Sequence, residues 1–366
     1  MPLEPPIALR GDHQPRHPQG RDAAYLIRRA NSFPVARYRF EFRATQAIRL
    51  PDYAGSMLRG AFGHALRQVA CMTRQKECSG CPLAGGCPYP AIFAPLPPAT
   101  HALQKFAQIP VPQVIEPPAW GARVLAAGEL LTFHHVLIGR ALQELPLIIL
   151  AWRRALARGV GAGDGTADLL RVVHCDESGE REIHRPEVGT IAEHVQQIAL
   201  QRTPGTDLSE ATLTFTTPLR LQLNGQALPP DRLQARTLLL GLARRANLLA
   251  EFHADGPLVD DFAALSDAAA GIRDERNVVW RDWKRFSSRQ QREMRLGGVV
   301  GAWRLQGQLA PFAALLRLGQ WLHVGKETTF GLGQYTLDGS SRRDIYGDDD
   351  KPWERNAQVI EGKEVN

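Results

Sequence analysis

The chain of 366 residues is 44% hydrophobic and carries a net charge of +6 with a pI near 9.2. It is long enough for two domains with their own cores, and its basic balance favours a polyanionic partner over an acidic small molecule. Apolar runs such as Leu147 to Trp152 fall far short of a membrane span, and the Pro- and Arg-rich start has no signal-peptide block, so a cytoplasmic location is expected.

Residues 1–35 are expected to form a flexible arm. Ala36 to Thr45 alternates as a half-buried strand. A helix is expected over Gly55 to Ala70, where Leu58, Ala61, Phe62, Ala65, Leu66 and Val69 share one face. A cysteine-bearing segment and Pro-rich chain follow, to about Trp120. Glu129 to Ile138 reads as a strand, Arg140 to Arg158 as a helix ended by glycines, and Leu169 to Cys175 as a strand. Polar chain then suggests a linker over 179–205.

The second half repeats the theme. Leu213 to Leu223 is a strand and Leu233 to His253 a helix. Val278 to Phe286 and Gly297 to Gln308 are strands, Pro311 to Leu318 a helix, and Gln334 to Leu337 a short strand. The outline is α+β: two tandem ferredoxin-like domains, 36–178 with a Cys-rich insertion at 71–95, and 206–338 with a glycine-rich loop. The acidic tail, 339–366, is expected to be disordered.

Six lysines stand against 38 arginines. Arg forks match phosphate geometry, although codon bias in a GC-rich genome is a competing account. Between Arg273 and Arg304, eight arginines and one lysine face four acids, with Trp280, Trp283, Phe286 and Trp303 interleaved. On strands such a mixture can grip phosphates and stack bases. The aromatic residues are expected mostly inward, with Arg281, Lys284, Arg285 and Arg289 partly facing the ligand.

Gly325, Gly331 and Gly333 stand as G-x5-G-x-G beside Lys326, between a helix and a strand. Free N–H groups in such a loop can form an anion-binding concavity, and a merely tight turn is the alternative. Neither a Walker loop nor a Rossmann fingerprint fits the spacing and context.

Four of five cysteines stand as Cys71-x6-Cys78-x2-Cys81-x5-Cys87. Their clustering points to metal ligation: structural zinc is the leading reading, an iron–sulfur cluster the second, and no metal the third. Cys175 reads as a packed residue.

Several segments together resemble one family. They are HVGKETTFGLGQY (323–335), MLRGAFGHAL (57–66), the CSGCPLAGGCPY run, GELLTFHHVLIGRA, LARRANLL, WRDWKRFSSRQ and MRLGGVVGAWRLQGQL. In this order, across about residues 36–338, they resemble the CRISPR precursor-RNA processing endoribonucleases of the RAMP superfamily (the Cas family numbered six). The resemblance implies two RRM-like domains side by side, CRISPR repeat RNA as partner, and effector-complex subunits as further partners. It also implies metal-free cleavage, in which a ribose 2′-hydroxyl attacks the adjacent phosphate to leave 2′,3′-cyclic phosphate and 5′-hydroxyl ends. A non-catalytic RAMP subunit cradling guide RNA, and a metal-cluster structural or sensor protein, are the alternatives.

That chemistry needs a base, an acid and cations. His64 leads, because Gly60, Gly63, His64 and Arg67 lie opposite the apolar stripe of their helix, where RNA or the glycine loop can approach. His101, His134 and His135 are rivals. The last two alternate on a strand, so one is expected to face the core and the other outward. Tyr53 is a candidate for positioning the scissile phosphate, with a hydrophobic cap as its alternative. Lys326 is a candidate for phosphate binding or transition-state stabilisation, and Arg59 and Arg67 for RNA contacts.

Overall fold

The computed structural model describes residues 32–97, 109–200, 208–223, 225–287 and 292–338, without the side chains of 284–287 and 292–296. The expected N-terminal arm up to residue 31, His101, Arg289 and the acidic tail lie outside the described residues, as do the side chains of Lys284 and Arg285.

The first half runs β1 (Val35–Ala44), α1 (Gly55–Ala70), β2 (Gln113–Glu116), β3 (Leu130–Ile138), α2 (Leu145–Arg158), β4 (Ala167–Asp176) and β5 (Gly179–His184). Its sheet has the order β2-β3-β1-β4-β5, antiparallel throughout. The second half runs β6 (Glu210–Leu219), α3 (Ala235–His253), α4 (Phe262–Ala270), β7 (Arg273–Ser287), β8 (Arg292–Gln306), α5 (Ala313–Leu322) and β9 (Tyr335–Leu337). Its sheet, β7-β8-β6-β9, is also antiparallel. With β5 and α4 as additions, both halves share the βαββαβ path and the same strand order.

Two differences from the expected elements have physical causes. The polar stretch expected as a linker begins with β5, an edge strand whose charged side chains pair outward. Glu182 accepts from Arg185 and lies 3.5 Å from Arg171. Farther along, Ile198 and Ala199 pair with Phe33 and Ser32. Helix α4 is an extra element, started by Asp261, whose side chain accepts from the Ala264 N–H at 2.9 Å.

The front face of the first sheet packs on α1 and α2 through Phe40, Phe42, Phe133, Phe62 and Trp152. His135 sits in this core. It accepts from Trp152 Nε1 at 3.0 Å and pairs with Gln113 Oε1 at 2.6 Å, and burial pushes its pKa down to about 3. The back face is covered too: Phe33, Val35, Val114, Val136 and Ile138 join one core with α3, α5 and the second sheet. The layers therefore run helices, sheet, helices, sheet. Because the back face is covered, His134 is buried as well as His135, which corrects the expectation that one of them faces outward.

A polar cluster crosses this seam. Glu116 Oε1 stands 2.8 Å from Arg37 Nη2 and 2.9 Å from Nε2 of His323, the residue that ends α5. The Arg37 guanidinium also donates to the Gln320 carbonyl, and His323 Nδ1 lies 3.2 Å from the Leu332 carbonyl. Carbonyl and carboxylate oxygens accept, so the ring nitrogens are the donors in these two contacts. Arg37, Glu116 and His323 are 5%, 1% and 0% exposed. At the rim, Arg317 of α5 reaches Glu177 beside β4.

Breaking a buried pair by removing one partner leaves an uncompensated charge. Glu116→Ala is expected to lower the unfolding free energy by roughly 3–5 kcal/mol, read from guanidinium chloride denaturation. A loss below about 1 kcal/mol would show that the seam does not depend on this carboxylate.

Candidate nucleic-acid interface

The glycine-rich loop leaves α5 at His323 and returns as β9. Gly331 and Gly333 have φ of 97° and 70°, which only glycine adopts without strain. A Cβ at Gly333 would stand 1.8 Å from the Val324 carbonyl oxygen. One at Gly331 would stand 2.7 Å from the Tyr53 hydroxyl and from Pro117, and 2.8 Å from the Ile115 carbonyl oxygen. Both glycines are buried. The expectation that they lie open to a sugar–phosphate chain is therefore corrected: this part of the loop is pressed onto the first half, and its backbone freedom serves that close approach. Gly325 is half-buried beside Arg220, whose carbonyl accepts the Lys326 N–H at 2.9 Å. Lys326 itself is exposed, as an RNA-contacting cation needs to be.

Tyr53 belongs to the same seam. Its hydroxyl donates to the Phe330 carbonyl at 2.8 Å, and its ring packs against Trp120 and Trp283 at 4.5 and 4.9 Å between centroids. It is 5% exposed. The packing alternative describes Tyr53 better than a phosphate-positioning role.

Helix α1 begins beneath the loop, at Gly55. His64 comes nine residues later, about 13 Å along the axis and half a turn around at 100° per residue. It is exposed, and its Nε2 lies 2.8 Å from the amide nitrogen of Gln68. An amide nitrogen donates, so in this contact the ring nitrogen is the acceptor. The fold thus does not bring His64, Tyr53 and Lys326 together. Tyr53 meets the loop, whereas His64 faces away from it. A Cβ at Gly60 would meet nothing within 4 Å, so that side of α1 is open. Gly63 is covered instead by the ring of Phe93, from the Cys-rich insertion.

Arg59 and Arg67 hold that insertion. The Arg59 guanidinium lies 4.4 Å over the Phe93 ring and that of Arg67 lies 5.6 Å over Tyr89. Arg67 also donates to the Gln75 and Lys76 carbonyls. Both side chains are half-buried, with one face of each guanidinium turned to protein. Arg281 stacks 4.2 Å over Trp120, and partial burial lowers its pKa against the pull of Asp52. Of the hairpin tryptophans, Trp283 and Trp303 are buried as expected, while Trp280 is 37% exposed.

The four clustered cysteines are half-buried free thiols lining one cavity of about 330 Å³. Burial raises the Cys78 thiol; Arg67 opposes this, and the neighbouring Cys87, Cys71 and Cys81 push it further up. For Cys71, burial raises the thiol, but hydrogen bonds from Arg74, Thr73 and Arg67 bring it below its ordinary value. Among the described residues no group of three or more His, Cys, Asp or Glu side chains already stands as a metal cage. Cys175 is held apart, its pKa raised to about 11 by burial.

Sequence reasoning missed Glu116, His323, Trp120 and Phe93. The one legible signal was a lone acid at the end of an apolar strand, in QVIEPP, where a solvated turn and a buried ion pair look alike.

A family model described as CRISPR-associated endoribonuclease Cas6 matches residues 213–335, and an N-terminal-domain model matches 33–196. Among solved structures, the chain is similar to a Thermus thermophilus Cas6 product complex at 16% identity and TM-score 0.51, over 83% of this chain and 99% of that one. It is also similar to a partial Cas6-RT-Cas1–Cas2 complex at 15% identity and TM-score 0.50, over 86% and 48%. At these identities the likeness is one of fold. No curated protein matches.

Placing Ala at position 331 adds a methyl group where three atoms already stand, on a backbone that disfavours any side chain. Gly331→Ala is expected to lose roughly 1–3 kcal/mol of stability, whereas Lys326→Ala stays within about 0.5 kcal/mol. Denaturant unfolding of both variants checks this, and equal stabilities would contradict the seam role of the loop.

Proposed function

We propose that the chain is a CRISPR-associated endoribonuclease of the Cas6 family, whose model matches residues 213–335, and that it cleaves CRISPR repeat RNA into guide RNAs, without a metal ion, by attack of a ribose 2′-hydroxyl on the adjacent phosphate. The products carry 2′,3′-cyclic phosphate and 5′-hydroxyl ends. The two βαββαβ halves are read as ferredoxin-like domains, and other CRISPR proteins as the chain's further partners. No helix among the described residues is long and apolar enough to cross a membrane.

The observation that carries the catalytic assignment is the exposure of His64. Among the described histidines it alone is exposed. His134, His135, His174, His184, His253 and His323 are all buried, and His194 is half-buried with Nε2 against the Tyr38 hydroxyl. A group that exchanges protons with RNA must be reachable by RNA, and neutral imidazole is the form that accepts the 2′-hydroxyl proton. Gln68 holds the reactive nitrogen and gives it up when a substrate hydroxyl takes the same position. Lys326 is read as a phosphate-binding cation. Arg281, Lys284, Arg285 and Arg289 are read as the basic side of the RNA path.

A second reading is a guide-binding subunit that does not cut. One observation favours it: Tyr53 and Lys326 stand apart from His64, so the candidate residues form no multi-residue catalytic group among the described residues.

Incubation with repeat RNA in EDTA separates the two readings. Cleavage with a cyclic-phosphate end supports the nuclease; tight binding without cutting supports the subunit. His64→Ala is expected to slow cleavage at least about a hundredfold with affinity nearly unchanged, as for loss of a general acid–base group. Undiminished single-turnover rates in that variant would move the role to another residue. Lys326→Ala is expected to lower the salt slope of RNA binding by about one ion.

A further inference from the structure

The insertion that follows α1 is held by the stacks of Arg59 and Arg67 and their polar contacts, with little apolar burial of its own. Between Cys71 and Phe93 its regular structure is one 3-10 turn, Ala84–Gly86, and one short helix, Pro88–Ile92. Only Pro90 and Ile92 of this stretch are buried, while Met72 and Leu83 are 84% and 45% exposed. So little apolar burial rarely fixes a segment of this length, and short segments of this kind are commonly held by a cross-link or a metal.

The cysteines are placed where such a tie is needed. Cys71 caps the C-terminus of α1, and Cys87 stands immediately before the short helix. Between them, Cys78 and Cys81 form the corners of a tight turn: the Cys81 N–H donates to the Cys78 carbonyl at 3.2 Å, and Gly80 supplies φ of 76°. A C-x-x-C turn of this kind brings two sulfurs to one side. The Thr73 hydroxyl lies 3.4 Å from Cys81 Sγ and 3.9 Å from Cys71 Sγ, so it links the first and third thiols. All four line the same cavity, and none is spent in a disulfide.

We propose that Cys71, Cys78, Cys81 and Cys87 bind one zinc ion in a tetrahedral four-thiolate site that fastens the insertion to the end of α1. The thiols lose four protons as four metal–sulfur bonds form, and no oxidant or reductant is needed. The sulfurs close onto the ion from the walls of their shared cavity. Four thiolates around a divalent ion leave two excess negative charges. Arg67, which donates to the carbonyls of Gln75 and Lys76 in the loop between the first two cysteines, supplies positive charge beside them. The ion also fixes Phe93 against Gly63 and beneath Arg59, one residue from His64. It supports the open side of α1 and takes no part in proton transfer. The inference stands whether or not the chain cleaves RNA.

The test is the metal content of the reduced full-length chain. One zinc per chain is expected by elemental analysis, or on titration of chelator-stripped protein with zinc. Cadmium is expected to replace it with a thiolate-to-metal charge-transfer band saturating at one equivalent. Cys81→Ser should lose stoichiometric binding, and Cys175→Ser should keep it. Should Cys81→Ser fail to fold, thiol labelling of the unaltered chain decides instead: four cysteines should be shielded by zinc and become reactive on chelation. No binding by the reduced protein, equal binding by Cys81→Ser, or a visible iron–sulfur chromophore with acid-labile sulfide would each overturn the proposal.

Discussion

The Glu116 carboxylate, held between Arg37 and His323, is the constraint on which the arrangement of the two halves depends. Two of these residues come from the first sheet and one from the end of α5, and all three are shut away from water. Desolvating such a group is expensive, so it is tolerated only where partners meet every charge. That requirement sets where α5 rests on the back of the first sheet. It also sets where the glycine-rich loop begins, because His323 is its first residue. The loop can then reach Tyr53 and Ile115 only if nothing larger than hydrogen occupies position 331.

The site follows from the same placement. Once the loop is committed to the seam, the open ground on the first half is the far side of α1. There His64 and Gly60 look outward, and Phe93 and Arg59 build a wall beside them. Lys326 marks the other open position, at the loop's outer bend.

Much of the framework was readable from local pattern. Strand β1 and helix α1 announced themselves through periods of two and about 3.6 residues, and the Gly-rich stretch after Arg158 ended α2. Strand β5 looks like linker in the sequence because Glu180, Arg181 and Glu182 read as solvated chain, although charge is what an edge strand carries to discourage pairing. Helix α4 has an Asp261 cap as its local signal, but it is short and rich in alanine. His134 was misplaced for a different reason. Alternation reports which two faces a strand has, and only the other half of the molecule decides that both are covered. The glycines failed likewise, since sequence shows that something comes close without showing what. The exposure of His64 was legible, because it depended on one helix alone.

The core shared across the seam has a bearing on how the molecule comes apart. Phe33, Val35, Val114, Val136 and Ile138 share one buried core with residues of α3 and α5. Topology counts two modules, but the oil between them is common property. A polypeptide cut between β5 and β6 would yield pieces each baring a raw greasy flank, prone to stick to its missing counterpart. Evolution could therefore exchange one half for another only by rewriting the facing surface at the same time.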